Sequence, residues 1–494
     1  MAISRLEDTL DVEHVKGRIA RSFVALAVRN GVVGLVTFGT MLVLAAFLSP
    51  TQYGVYTIIQ LFSTFFIFIT EIGFGAMLIR KKNYPTPAEL DTTFTLQLLV
   101  VSGLVVGLVL LAAPLGDLFK LGPDGAAIFQ WLALSLLFSS FGSVPGALLE
   151  RDLQFGKLAL VDVIEIFVFS GIALPAAIWL KAGVWSFVAA VLARSVITGF
   201  IFYLLQSWRP HLRLERRATA EIFAFGVPYQ LGILAAFFKD NMLALLIGPW
   251  LGLEKLAYLS FGFDQARLPF MLSQMVARIT FPAFARMQDD RQLLQRSLEL
   301  TLKLSLLTCG AYTLLTSILA PRLIVQIFGS KWEPAVLVYI LLAGNFLGNY
   351  FTNPLVPLLT ALGKPGRGMR LMLVWTACIW LLTLLLVSIF GYVGAAIASS
   401  TVTLFAAVAA VLEVRRLVEF SVWRALRVPL LSLTPVSLGC LLLSPFLNSL
   451  WLTLLTLVGA GLVFLALVYW LDRDELVPQI KSWLGRSKPR VTSH

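Results

Sequence analysis

Charged side chains interrupt the apolar stretches of this sequence at Arg29, Arg194, Lys239, Arg267, Arg278 and Lys303, and in equal number at Glu71, Asp162, Glu165, Asp240, Asp264 and Glu299. In an apolar setting such groups either neutralise one another as ion pairs or face a wet cavity and hold a charged passenger. Spacing supports pairing for several. Asp264 and Arg267 are three apart, and Glu299 and Lys303 four apart, so each pair shares a helix face. Arg29 and Glu71 fall at similar depth, each under about three turns from one membrane face. Arg194 and Glu165 are matched likewise. A cavity lined by acids alone would suit a cationic passenger; this mixed set does not. Catalysis has one hook, Asp472-Arg473-Asp474, which has the form of the metal-binding Asp-x-Asp of glycosyltransferases. It stands at a helix end with a short tail beyond, without room for a nucleotide-sugar domain, and is read as a capped, solvated terminus. His14, His211 and His494 fall outside the apolar runs, which removes a histidine proton relay. Cys309, Cys378 and Cys440 are odd in number and are expected to be buried, which argues against a disulfide framework or a metal site. The expectation is a non-enzyme with no cofactor and no metal.

The elements that must position these charges are membrane helices. Of 494 residues, 58% are hydrophobic and 13% charged, whereas a soluble domain carries about 25% charged residues. Runs 32–48, 96–113 and 375–390 contain no charge, and about 20 apolar residues cross the hydrocarbon core as a helix. The first run begins near Arg21, too late and too long for a cleaved leader. The pattern predicts an all-α polytopic membrane protein of about fourteen transmembrane helices, at 22–48, 53–79, 90–113, 129–149, 158–180, 184–206, 221–248, 256–284, 298–320, 334–360, 368–390, 393–414, 428–446 and 450–471.

The net charge of +12 would suggest nucleic acid in a soluble protein. Here Lys and Arg concentrate in alternate short loops, which is a statement about membrane orientation, and no nucleic-acid partner is expected. With the N-terminus in the cytoplasm, the clusters Arg80-Lys81-Lys82, Arg209 to Arg217, Lys364 to Arg370 and Arg415 to Arg427 all become cytoplasmic. The outer loops then hold Lys120, Lys181, Lys255, Arg322 and Lys331. One helix more or fewer would destroy the bias, so both termini are expected in the cytoplasm. Trp131, Trp179, Trp185, Trp250, Trp332 and Trp451 near outer ends, and Trp208, Trp423 and Trp470 near inner ends, are expected to anchor in the headgroup layers.

The spans divide six and six. A cytoplasmic segment at 1–21 precedes an N-lobe at 22–206. An Arg-rich cytoplasmic linker at 207–220 leads to a C-lobe at 221–414, then to two further helices within 415–471 and a cytoplasmic tail at 472–494. Each lobe opens with a short outer turn, Leu48 to Gly54 in one and Leu251 to Ala257 in the other. Two parallel lobes of this kind enclose a central cavity. Gly31, Gly34, Gly39, Gly73 and Gly75 are expected to permit close helix contact. Pro145, Pro175, Pro228, Pro354 and Pro357 fall in or near helices and free backbone groups there.

Three segments carry a family resemblance. They are the first hairpin, Phe47-Leu48-Ser49-Pro50-Thr51-Gln52-Tyr53-Gly54-Val55-Tyr56; the end of the second helix, Glu71-Ile72-Gly73-Phe74-Gly75; and the loop after the eighth helix, Phe281-Pro282-Ala283-Phe284-Ala285-Arg286-Met287-Gln288-Asp289-Asp290. In this order, with fourteen helices, nearly the whole chain resembles the Wzx-type polysaccharide flippases of the multidrug/oligosaccharidyl-lipid/polysaccharide exporter superfamily. The third segment is similar to the branch that exports colanic acid, xanthan or succinoglycan repeat units. The resemblance implies an inner-membrane protein that turns undecaprenyl-diphosphate-linked oligosaccharides from the cytoplasmic to the periplasmic leaflet by alternating access. The partners it implies are that lipid-linked oligosaccharide, the bilayer, a polysaccharide polymerase and a chain-length regulator. With such a substrate, basic residues from both lobes would hold the diphosphate, because Arg meets phosphate oxygens with two parallel donors and stays charged when desolvated. Arg267 and Arg278 share a helical face and Arg29 and Lys239 come from the lead helices of the lobes, so Arg29, Lys239, Arg267 and Arg278 are the expected phosphate ligands, with Glu71 tuning Arg29. A cation-coupled multidrug antiporter of the same superfamily typically stops at twelve helices. A membrane polysaccharide polymerase would carry a large periplasmic loop, and the longest outer loop here, 114–128, is short.

Overall fold

The computed structural model describes residues 29–485 apart from 71–73, 81–83, 224–229, 231–233, 235–236, 239–240, 271–272, 274–279, 281–283, 285–286 and 289. Among the described residues the regular structure is helical throughout, with no strand. The principal helices are α1 (Arg29–Phe47), α2 (Pro50–Thr70), α3 (Phe74–Arg80), α4 (Pro87–Leu110), α5 (Ala112–Leu118), α6 (Gly125–Ser140), α7 (Ser143–Arg151), α8 (Phe155–Ile178), α9 (Trp185–Leu205), α10 (Met242–Leu251), α11 (Leu253–Ala266), α12 (Arg291–Ser305), α13 (Ala311–Phe328), α14 (Glu333–Ala361), α15 (Pro365–Phe390), α16 (Tyr392–Arg415), α17 (Val422–Leu443) and α18 (Leu450–Gly485).

Ten helical stretches among the described residues are long and apolar enough to cross a membrane, or eleven when α6 and α7, bent by 40° to each other, count as one span. The other expected spans, 53–79, 221–248 and 256–284, each contain undescribed residues, so the observed set is consistent with fourteen.

Local chemistry sets the helix ends. Thr86 and Glu89 form a reciprocal capping box at the start of α4, at 3.0 and 3.3 Å, with Pro87 at the first helical position. Asp290 caps α12 by accepting the Leu293 amide at 3.0 Å. The span expected at 298–320 is a longer helical run, 291–328. In its first part Leu294, Leu298, Thr301, Leu302 and Ser305 form one buried stripe, and a π turn at Leu306–Gly310 joins α12 to α13.

The chain forms two compact units, residues 1–257 and 258–494. In the first, the linker after α9 is docked. Backbone amides of Arg213 and Glu215 donate to the hydroxyls of Thr95 and Thr92, both at 3.0 Å, while Trp208 packs against Phe94 and Ile222 joins the core around Leu90 and Leu148. Gly54 of the first hairpin backs onto the Leu253 backbone of the second, leaving no room for a β-carbon. At Gly31 and Gly39, by contrast, a β-carbon would meet nothing within 4 Å among the described residues. Among the described residues, then, no close helix contact is made at these two glycines. Gly75 does meet Ala147, at the distance of ordinary contact.

In the second unit two apolar clusters form the core. One joins α12, α14 and α16, and the other joins α13 to α17 and α18. Buried hydroxyls and amides clasp these helices: Thr316 to Tyr339 at 2.6 Å, Thr313 to Tyr350 at 2.8 Å, and Asn345 to Thr403 at 2.8 Å. Such bonds replace water where none reaches. Trp332, expected at a headgroup layer, is fully buried and stacks on Phe261 at 4.2 Å between ring centres. Gly329, with φ of 91°, turns the chain just before it and folds the indole into the core. Trp131, Trp179, Trp250, Trp423, Trp451 and Trp470 are exposed, as interfacial anchors must be.

Candidate functional site

Arg29 stands at the first described turn of α1. Its Nε lies 2.8 Å from the Asp162 carboxylate of α8, and its Nη1 donates to Asn30 at 2.9 Å. The expected partner Glu71 lies outside the described residues; the observed partner is Asp162. Eleven residues further along α1, Thr40 donates to Ser170 of α8 at 2.7 Å. The two contacts ascend both helices together, so α1 and α8 run parallel here. One turn beyond Asp162, Glu165 pairs with Arg194 of α9 at 3.4 Å, as its sequence depth suggested. Arg194 also lies over the Phe169 ring, 5.7 Å from its centre.

These four charges form a neutral network. Asp162 is seven residues from the start of α8, or about 10 Å of helix rise, and Arg194 nine from the start of α9, or about 14 Å. Both depths are well inside a hydrocarbon core about 30 Å thick. Isolated charges there cost about 2.5–3.5 kcal/mol each on insertion scales, which explains why each has a counter-ion. Sequence carried a signal for the network, since Asp162 and Glu165 are three apart on one face; it matched Glu165 with Arg194 but did not identify Asp162 as the acid that meets Arg29.

In the second unit Arg267 follows the last residue of α11. It lies 3.8 Å from Asp264, the expected neighbour three positions back, and 56% of its side chain is exposed. This loose contact engages one edge of a guanidinium with five N–H donors. A charged group so exposed within a span requires water or an anion beside it. Lys239 and Arg278 lie outside the described residues.

The expected Glu299–Lys303 pair is not formed. Glu299 accepts the Ser421 amide at 2.7 Å and lies 3.9 Å from Arg424, at the start of α17. Lys303 turns instead to Asp472 of α18, at 2.5 Å, with both side chains buried. The reading of Asp472 as a solvated helix end is thereby corrected: the aspartate is the counter-ion of a buried lysine. Partners from distant segments win because an i, i+4 pair here would leave Asp472 buried with no cation. Cys378 is also corrected, being exposed, whereas Cys309 and Cys440 are buried; all three are free thiols. Among the described residues no group of three or more His, Cys, Asp or Glu is placed to hold a metal ion.

The profile of a family described as polysaccharide biosynthesis protein matches residues 43–337, more than half of the chain. Among curated proteins, the chain is 23% identical to the lipopolysaccharide biosynthesis protein WzxC of Escherichia coli over 65% of each chain. It is 26% identical to the succinoglycan biosynthesis transport protein ExoT of Rhizobium meliloti over 64% of this chain and 63% of the relative. The matches therefore span a little under two thirds of these relatives' length. Among solved structures, the lipid II flippase MurJ in an inward closed conformation superposes with a TM-score of 0.73 at 14% identity, covering 91% of this chain and 99% of that one. At that identity the likeness concerns the fold.

Proposed function

Because the chain belongs to the polysaccharide biosynthesis protein family, we propose that it is a Wzx-type flippase that moves undecaprenyl-diphosphate-linked oligosaccharide repeat units across the inner membrane. The units serve exopolysaccharide, lipopolysaccharide or capsule synthesis, and two lobes, 22–206 and 221–414, provide alternating access. The observation that carries this reading is the family match through the middle of the chain, within a fold shared with a lipid II flippase. Both termini lie in the cytoplasm on this reading, in keeping with the loop charges.

A diphosphate carries about two negative charges and must be screened from the hydrocarbon. Arg29, Lys239, Arg267 and Arg278 are the proposed ligands, with Glu71 tuning Arg29. Arg267 is supported by its exposure and by its loose contact with Asp264, its one counter-ion among the described residues. Arg29 is supported differently: it is held by Asp162, so phosphate binding there is an exchange of one anion for another. The step makes and breaks no covalent bond.

Deletion of the protein tests the reading. Lipid-linked repeat units are expected to accumulate on the cytoplasmic leaflet while surface polysaccharide disappears. Polymer export at the normal rate, in a host without a second flippase, would contradict it.

A further inference from the structure

The second unit carries an apolar groove that no step above uses. On α15, Leu371, Trp375, Cys378, Leu382 and Leu385 recur every three or four residues, so they form one stripe along the helix. Across from the stripe, α16 presents Phe405 and the small Ala406 and Ala409, and α14 presents Thr352 and Val356. Alanines leave the space between the helices unfilled, and the result is a cavity of about 470 Å³ with an almost wholly apolar lining. The groove is open: Leu381 and Phe405, on its rim, are 70% and 72% exposed.

The end of the groove is basic. Gly363, with φ of 70°, turns the chain into α15, and Lys364, Arg367 and Arg370 border a second hollow at that turn. Arg370 heads the same face as Val374 and Cys378, four and eight residues on. Glu413 of α16 takes Arg367 at 3.1 Å and Arg416 at 3.0 Å. Among the described residues no carboxylate lies within ion-pair distance of Lys364 or Arg370. The rim thus offers two cations, Lys364 and Arg370, without an anion beside them among the described residues, at the end of an apolar channel.

We propose that this groove binds an anionic phospholipid, with one acyl chain between α15 and α16 and the phosphate at Lys364 and Arg370. Length supports this occupant. The groove runs from Leu371 to Leu385, about 21 Å of helix rise, and one leaflet of the hydrocarbon core is about 15 Å deep. An acyl chain whose headgroup sits at the rim fits within it. Basic pockets between membrane helices recognise anionic headgroups by the same electrostatics. The inference rests on these helices spanning the membrane and not on the flippase reading.

Native mass spectrometry of the purified full-length protein tests it, with phosphatidylglycerol and phosphatidylcholine of identical acyl chains as probes. The wild type is expected to retain phosphatidylglycerol preferentially. The double substitution Lys364→Gln/Arg370→Gln should weaken that binding on the order of tenfold while leaving phosphatidylcholine unchanged. Ala406→Trp, which fills the groove, should weaken both lipids. Alkylation of Cys378 in the unaltered protein supplies a readout independent of folding: phosphatidylglycerol should slow it more than phosphatidylcholine does. Equal retention of the two lipids, or a preference and a Cys378 protection that survive the charge substitutions, would overturn the proposal. So would undecaprenyl phosphate displacing phosphatidylglycerol from the groove, since the occupant would then be an isoprenoid chain.

Discussion

Arg29 Nε lies 2.8 Å from Asp162 Oδ2, across the α1–α8 interface. A guanidinium proposed to receive phosphate therefore already holds a carboxylate. That carboxylate belongs to a network in which Glu165 and Arg194 cancel as well. Phosphate arriving at Arg29 must displace Asp162, so binding at this point is competitive, and the network's neutrality keeps the empty protein stable within the bilayer.

Substitutions at Arg29 and Asp162 separate the two roles. Arg29→Gln alone leaves Asp162 and Glu165 facing a single arginine, and should lower export about tenfold or more through loss of a charge-assisted contact worth about 1.5–3 kcal/mol. Arg29→Gln/Asp162→Asn restores neutrality. A purely structural pair predicts that the double variant regains export. Phosphate binding predicts normal abundance with export still low, read from membrane protein level and surface polymer in the same cells.

Lys303 and Asp472 make the opposite case. Both are buried, and neither faces the proposed passenger. Removing either charge should cost about 3–5 kcal/mol, because the partner is left buried and unpaired; replacing both with apolar residues should cost little. Thermal unfolding of Lys303→Met, Asp472→Leu and the double variant in detergent checks this. A fully stable single variant would show that the pair is not closed in the membrane.

Gly54 is the third position. Its α-carbon backs onto the Leu253 backbone, so Gly54→Ala should displace one hairpin from the other and cost about 1–3 kcal/mol. Gly39→Ala on α1, where an added β-carbon meets nothing within 4 Å among the described residues, should be neutral or stabilising by up to about 1 kcal/mol. Melting temperatures of the two variants that agree within error would contradict the packing described at Gly54.

The helices were legible in the sequence because spanning a bilayer imposes a length and a composition that each segment must satisfy alone. Arg194–Glu165 and Asp264–Arg267 were legible because depth or local spacing brings them together. Lys303–Asp472 was not: the partners are far apart in the chain, and a local candidate, Glu299, competed on spacing. Nor did the Trp332 indole announce its burial, since a tryptophan beside a charged loop reads the same whether it faces lipid headgroups or the core. Which acid meets Arg29 is likewise decided by helix packing, as several carboxylates share its depth.

The central claim is that this chain moves a lipid-linked oligosaccharide between leaflets with Arg267 contacting the diphosphate. It is tested most directly in liposomes holding the purified protein and an undecaprenyl-diphosphate-linked oligosaccharide, by following how fast the sugar of the inner leaflet becomes accessible to a membrane-impermeant reagent outside. The wild type should expose it well above the rate of protein-free liposomes. Arg267→Gln should slow it about tenfold or more, with Arg267→Lys restoring only part, because lysine keeps the charge but loses the paired donors. A wild-type rate equal to that of empty liposomes would contradict the flippase reading, and an Arg267→Gln rate equal to wild type would remove Arg267 from the site.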